Sequence, residues 1–406
     1  MTLLPYNFRL FNFFMQPDHI LIRYGEISLK GKNRNYFEAR LIKNLKDQLN
    51  AFAPSSFEFV KKISGAILVK LNKNGLANII AVEDAIRHTF GIVNYSFATS
   101  IEQDLKKIKS FCWELIKEKD FQTFRVTCKR SNKEFALKSA EIECEIGGFI
   151  FEKFAGQKAV KLKNPDCEIF LAIINDYALV SLDKKKGLGG LPVGTGGKAL
   201  VLMSGGFDSP VAAFNILRRG VTTRFAHFHS MPYTSKASVE KVTTLIRVLK
   251  EYQSSGILYS IPFADAQKEI MLNCCESLRI ILYRRLMIKV AQELARKEKA
   301  LALVTGDSIG QVASQTLENI FVVSQAAQMP IFRPLIGTDK EDIMNTAKEI
   351  GTYDISKLAH DDCCMRLMPK KPETRSKLPA VLEAEKALDI PRIVSEILEK
   401  TEKFKL

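Results

Sequence analysis

The sequence predicts an α/β protein: two small α+β units followed by a larger domain built on a parallel sheet. Three observations carry this expectation. Residues 19–90 and 92–182 each read as a short cycle of strands and helices. The stretch Lys184–Lys198 (KKKGLGGLPVGTGGK) then holds six glycines, four lysines and one proline, so it cannot keep regular structure cheaply and marks the clearest boundary in the chain. Beyond it, apolar strands alternate with longer helices, the pattern of a parallel sheet covered on both faces.

The elements follow in order. His19–Ser28 reads as a strand, and Lys30-Gly31-Lys32-Asn33-Arg34 as a basic turn. Asn35–Leu49 carries Phe37, Leu41, Leu45 and Leu49 at helical spacing. Phe57–Ile63 and Ala66–Leu71 are strands, with a helix near Ala81–Thr89. The second cycle runs from a strand at Ile92–Thr99 through a helix at Ile101–Lys119 to a strand at Thr123–Cys128. Next come the basic turn Lys129-Arg130-Ser131-Asn132-Lys133, a helix near Ala136–Phe154, and the apolar runs Cys167–Ile174 and Ala178–Leu182 around the turn Asn175-Asp176. In the third part, Ala199–Met203, Thr223–Phe228, Gly256–Ile261, Leu301–Thr305 and a run from Ile331 read as strands, with a helix at Pro210–Arg219.

Composition narrows the function. With 46% hydrophobic and 26% charged residues the 406-residue chain is ordinary globular protein, and no run approaches the ~18 apolar residues of a membrane span. The net charge is +15; residues 1–200 hold 31 basic and 21 acidic side chains, residues 201–406 hold 29 and 24. The surplus favours a polyanionic partner, although a solvated basic surface gives the same total. Eight cysteines without a secretory leader read as reduced thiols in a cytoplasmic protein. Those at 112, 128, 144 and 167 read as buried and inert, whereas the adjacent pairs Cys274–Cys275 and Cys363–Cys364 invite a chemical role.

Ser204-Gly205-Gly206-Phe207-Asp208-Ser209 is the strongest motif. It follows the apolar strand ALVLM and opens a helix whose first turn suits Pro210. Glycines let the backbone approach an anion, the helix N-terminus offers free N–H groups, and two serines add hydroxyls. Asp208 beside a phosphate calls for a cation, and Mg²⁺ bound through pyrophosphate fits. No GxxxxGK[ST] is present, so this is not a Walker A loop.

SGGFDS resembles the PP-loop of ATP pyrophosphatases. With ILIRYGEISLKGKNR, GLGGLPVGTGGKALVLMSGGFDSPVAA, VTGDSIGQVASQTLENI and HDDCCMRLMPKKPETR in this order, the chain resembles the tRNA 4-thiouridine synthetase (ThiI) family over nearly its full length. The resemblance implies a ferredoxin-like domain (1–80, with 1–14 a loose extension ahead of Met15), a THUMP domain (81–184), a linker (185–198) and a PP-loop domain (199–406). It also implies ATP contacts at Leu202, Met203, Ser204, Gly205, Gly206, Phe207, Ser209, His227, Phe228, Arg284, Gly306 and Gln315, with Phe228 and the strand ends flanking adenine. tRNA would be gripped by the basic turns, Lys30, Lys32 and Arg34 with Lys129, Arg130 and Lys133.

The implied activity is thiolation of uridine 8 of tRNA. ATP adenylates uracil O4 through the PP-loop and Mg²⁺ at Asp208, and a persulfide on Cys363 then supplies sulfur. His360, Lys370, Lys371 and Arg375 would favour the Cys363 thiolate. A cysteine desulfurase is the implied donor. No Fe–S cluster is expected, because adjacent cysteine pairs lack a CxxC spacing. The match ends near Leu406 without a rhodanese-like segment, which leaves Cys364 and Cys274–Cys275 as candidate resolving thiols. Sulfur transfer to a carrier protein for thiamine, a homodimer, and a non-catalytic tRNA-binding module with a degenerate ATP site stay open.

Overall fold

A computed structural model of the chain describes residues 16–132, 134–174, 176–182, 184–358, 369 and 371–406. Its backbone divides into two compact units, 1–190 and 191–406.

The first unit is built on one mixed nine-stranded sheet. Strands β1 (His19–Arg23), β2 (Phe57–Ile63), β3 (Ala66–Leu71) and β4 (Asn94–Ile101) form its first half, with helices α1 (Arg34–Phe52), α2 (Lys73–Ala77) and α3 (Ile79–Arg87). The second half adds α4 (Leu105–Ile116), β5 (Thr123–Arg130), α5 (Ser139–Lys153), β6 (Ala159–Val160), β7 (Cys167–Ile173), β8 (Ala178–Ser181) and β9 (Lys185–Lys186). The order is β2-β3-β1-β4-β8-β7-β5-β6, with β9 on β4. Strand β4 serves both halves: Asn94–Ala98 pair with β1, and Thr99–Ile101 pair with β8. An 80/81 boundary would cut α3, which packs on α1 and so belongs with the first half.

Strands β2 and β3 have the expected bounds, Phe57–Ile63 and Ala66–Leu71. Elsewhere the strand ends differ. Strand β1 stops at Arg23, not Ser28, because its partner β3 begins at Ala66 after Gly65 turns at φ +70°; the chain then folds into 3₁₀ turns over Glu26–Leu29 and Gly31–Asn33. Strand β5 runs on to Arg130, because its parallel pairing with β7 continues from Phe124↔Cys167 to Arg130↔Ile173. Lys129 and Arg130 are therefore strand residues rather than turn residues. Cys144 is exposed, in contrast to the buried position expected: Ile142, Ile146 and Ile150 turn their face of α5 inward and leave Cys144 outside. Cys112 and Cys128 are buried, and burial pushes their thiols up to about 12 and about 11.

In the second unit, β10 (Lys198–Leu202), β11 (Thr222–His229), β12 (Ile257–Pro262), β13 (Ala302–Val304), β14 (Ile331–Phe332) and β15 (Glu402–Lys405) form a six-stranded sheet in the order β14-β13-β10-β11-β12-β15. It is parallel except for β15, which closes the β12 edge antiparallel. Helices α6 (Asp208–Arg218) and α7 (Ala237–Lys250) pack together, joined by α11 (Lys340–Glu349) and α12 (Tyr353–Lys357). The remaining helices α8 (Ala264–Asn273), α10 (Leu317–Ser324), α13 (Leu378–Glu385) and α14 (Ile390–Glu399) gather about α9 (Arg279–Lys297). Residues 191–197 of the expected linker belong to this unit, where Leu191 and Gly194 bond the Arg218–Gly220 backbone. The sheet order reverses at β10, the strand that feeds SGGFDS, and crevices at such reversals are where open α/β sheets bind ligands.

Candidate functional site

The loop after β10 is closed on itself by its two serines. The Ser204 backbone N–H donates to Ser209 Oγ (2.9 Å), Ser209 Oγ donates to the Ser204 carbonyl (3.2 Å), and Gly206 N–H donates to Ser204 Oγ (3.3 Å). This arrangement holds Gly205, Gly206 and Phe207 as an arch over the first turn of α6, whose leading N–H groups have no helical acceptor. Leu202 ends the strand and Met203 is buried behind the arch, its N–H bound to the Ala226 carbonyl. His227 donates through Nδ1–H to the Met203 carbonyl (2.9 Å), tying the ends of β10 and β11 together.

Phe228 differs from its expected role. Consecutive strand side chains alternate, so with His227 on the loop side the Phe228 ring turns into the core, 5.3 Å from the Phe263 ring. Only its backbone is left to line a nucleotide site.

Asp208 is the first helical residue, and both its oxygens are engaged: Oδ1 accepts from Lys340 Nζ (2.6 Å) and Oδ2 from Gln311 Nε2 (3.0 Å). Lys340 Nζ also lies 5.4 Å from the Phe207 ring centre, and Phe207 meets Tyr353 of α12 at 5.2 Å. Gly306 sits against the loop: a Cβ there would lie 2.8 Å from Asp208 C and Ser209 N. Its lack of a side chain lets β13 abut the loop, a packing need beside the nucleotide approach expected for it.

Arg284 and Gln315 meet at Asp307. Arg284 Nη2 lies 2.5 Å from Asp307 Oδ1, its Nη1 donates to Ser314 O (2.9 Å), and Gln315 Nε2 reaches Asp307 Oδ1 at 3.4 Å. Gln315 Oε1 is buried with no hydrogen-bond partner among the described residues. Such an acceptor suits a ligand N–H, for instance an adenine amino group.

Cys363 lies outside the described residues, as do Cys364, His360, Lys370 and, in the first unit, Lys133. The chain on either side of the cysteine segment is tied down. Lys241 Nζ donates to the carbonyls of Ser356 (2.8 Å) and Leu358 (2.6 Å), and Ser356 Oγ reaches the Gly206 carbonyl (3.4 Å). After the segment, Asn319, fully buried, donates Nδ2–H to the carbonyls of Ala313 and Glu373 (2.8 Å each) and accepts from Ser376 N–H (3.1 Å). The loop presenting Gln315 and the return of the cysteine segment are thus clamped by one side chain.

In the first unit, the expected basic residues are partly spoken for. Lys30 pairs with Glu26 (3.1 Å), Arg34 with Glu38 (2.7 Å) and Tyr24 Oη (2.9 Å), and Arg130 with the carbonyls of Phe135 and Leu137; Lys32 is exposed. Lys129 instead joins Arg23 and Lys184 around a cavity of about 250 Å³ on the sheet. The Arg23 charge, aided by burial, holds Lys129 below its usual value. Burial holds Lys184 down too, Glu168 opposing and Arg23 and Lys129 adding. Crowded cations of this kind suit an anionic ligand. Arg23 comes from a strand with no basic cluster around it, and Lys184 opens the lysine run Lys184–Lys186, expected only to mark a domain boundary.

The sequence matches the family profile described as thiamine biosynthesis protein (ThiI) over residues 194–390, with the ThiI ferredoxin-like domain over 19–96 and the THUMP domain over 98–183. A probable tRNA sulfurtransferase of Caldanaerobacter subterraneus subsp. tengcongensis is 41% identical, over 94% of this chain and 98% of its own. The chain belongs to the ThiI family. A probable tRNA sulfurtransferase of Alkaliphilus oremlandii is 40% identical over 95% of this chain and 98% of its own. The crystal structure of a 4-thiouridine synthetase–RNA complex with bound ATP superposes with a TM-score of 0.84 at 34% identity, covering 96% of this chain and 99% of that one. The ferredoxin-like, THUMP and ThiI domains stand in the expected order, and the expected α/β architecture is that of the family.

Proposed function

We propose that this ThiI-family chain is an ATP-dependent tRNA uracil 4-sulfurtransferase that converts uridine 8 of tRNA to 4-thiouridine. One observation carries the reading furthest: α12, which contacts the phosphate-binding loop through Ser356 and Tyr353, ends at Lys357, six residues before Cys363. Six residues span at most about 22 Å, enough chain for the persulfide cysteine and the loop to meet at one substrate atom.

In this reading the loop N–H groups, with Ser204 and Ser209, cradle the phosphates of ATP, and the unpartnered Gln315 Oε1 takes the base. Uracil O4 attacks the α-phosphorus and pyrophosphate leaves, its charge met by the α6 N-terminus and Lys340. The terminal sulfur of the Cys363 persulfide attacks C4, and AMP departs. A second thiol then attacks Cys363 Sγ, releasing 4-thiouridine and leaving a disulfide for reduction; Cys364, Cys274 and Cys275 are the candidates. Mg²⁺ fits the loop as well, because it is commonly held by one or two carboxylates plus substrate phosphates, and Asp208 offers that carboxylate. When bound it would neutralise phosphate charge.

Sulfur arrives as a persulfide from a cysteine desulfurase, so no Fe–S cluster enters the scheme. The Arg23–Lys129–Lys184 cavity, with Lys32 and Lys133, takes tRNA phosphates. The setting is cytoplasmic. Handing the same sulfur to a carrier protein for thiamine synthesis is a second outlet, favoured by the description of the matching profile.

Purified protein, unmodified tRNA, ATP, Mg²⁺ and a persulfide donor test the scheme. AMP, pyrophosphate and 4-thiouridine should form in equal amounts. Thiolation without ATP, or AMP release that does not depend on tRNA, overturns it.

A further inference from the structure

Asp307 is only 4% exposed, yet it receives four side chains. Oδ1 takes Arg284 Nη2 (2.5 Å) and Gln315 Nε2 (3.4 Å); Oδ2 takes Thr305 Oγ1 (2.8 Å) and Arg333 Nε (3.1 Å). Arg333 is braced from its far side by Ser324 Oγ (2.9 Å), and Arg284 by Ser314. Burial alone would raise the Asp307 carboxyl, but the Arg284 charge, the Thr305 hydroxyl and Arg333 hold it below the usual range. The residue before it, Gly306, touches the phosphate-binding loop.

Two guanidiniums share one carboxylate, which leaves a surplus positive charge in a nearly dry place beside the loop. A lone guanidinium there would be free to swing, and two without a counter-charge would repel each other. We propose that Asp307 is the positioning residue of the nucleotide site, a carboxylate hub that sets Arg284 and Gln315 in the orientation that receives ATP and adds Arg333 to the same array. It acts through those side chains and does not itself touch the nucleotide. The proposal rests on ATP being the nucleotide bound at this loop.

The test compares the full-length chain with Asp307→Asn, Arg284→Lys and the double variant, by equilibrium binding of ATP alone and by steady-state kinetics of tRNA-dependent AMP release. Asp307→Asn keeps the shape but turns an N–H₂ toward one of the donors. It should raise the ATP Kd and KM tenfold or more, change kcat less, and leave tRNA affinity unchanged. The double variant should bind ATP no worse than the weaker single one, because both changes disable the same contact. An ATP Kd within twofold of wild type in a folded Asp307→Asn protein overturns the proposal, and so do losses that multiply in the double variant. Should Asp307→Asn fail to fold, Thr305→Val removes one hydrogen bond from the same carboxylate. It should raise KM about threefold with kcat unchanged, and an unchanged KM there counts against the hub. Wild-type protein that binds no ATP instead refutes the nucleotide assignment.

Discussion

Lys340 Nζ lies 2.6 Å from Asp208 Oδ1, joining the first turn of α11 to the first turn of α6 across the phosphate-binding loop. The pair is partly exposed, 42% and 21% for the two side chains, so it is weak enough to exchange for phosphate or a metal ion. Asp208→Ala should abolish uridine adenylation, and Lys340→Gln should slow it by about 100-fold, the scale of one preorganised charge. Filter binding of tRNA should be close to normal in both. Near wild-type AMP release in Asp208→Ala removes the carboxylate from the mechanism.

Gly306→Ala tests the contact between β13 and the loop. Its Cβ would sit 2.8 Å from loop backbone, so the loop must move. The expected cost is about 1–3 kcal/mol of stability, read by chemical denaturation, with weaker ATP binding. An unperturbed variant would mean the loop has slack there.

The fold was legible wherever a pattern is local. The β2–β3 hairpin is two short runs rich in apolar residues around a glycine turn, and α1 shows its buried Leu41, Leu45 and Leu49 at helical spacing. What pairing partners decide was not legible: β1 ends where β3 runs out, and β5 continues because β7 does. β15, a polar EKFK, gives no strand signal and exists because the β12 edge accepts it. The loop and its serines could be read from the motif, whereas Lys340 and Arg333 could not, since their partner carboxylates lie 132 and 26 residues away. Asp307 stands inside the motif VTGDSIGQ, but nothing local says that two arginines converge on it.

The cation cluster on the first sheet predicts the salt response of tRNA binding. Replacing Arg23, Lys129 and Lys184 together by Ala should weaken binding and reduce the slope of log affinity against log salt by about 2–3, as the displaced counterions are lost. An unchanged slope would place the RNA elsewhere.

Glu298 fastens the last strand. Burial would raise its carboxyl, but Lys403 (2.8 Å), Tyr259 and Arg224 (3.3 Å) bring it down to about 2 from 4.5. A depressed carboxylate contributes stability that is complete above its unfolded value and is lost as pH falls through the folded one, here between pH 4.5 and about 2. Glu298→Gln should lower stability at pH 7 by about 2 kcal/mol and flatten the acid unfolding profile in that window. An equally steep profile in the variant would assign the acid sensitivity to other groups.

Cys363 and Cys364 separate the sulfur step from adenylation. In single turnover with preloaded persulfide, Cys363→Ser should make no 4-thiouridine, Cys364→Ser should still make it, and both should still release pyrophosphate. The reverse pattern moves the persulfide by one residue.

The most direct measurement of the central claim is mass spectrometry of tRNA nucleosides from cells with the gene, without it, and complemented with wild type or with the Asp208→Ala variant. Sulfur transfer to uridine 8 predicts 4-thiouridine in the first and third samples and none in the second and fourth. Undiminished 4-thiouridine in cells without the gene, or full restoration by Asp208→Ala, would contradict it.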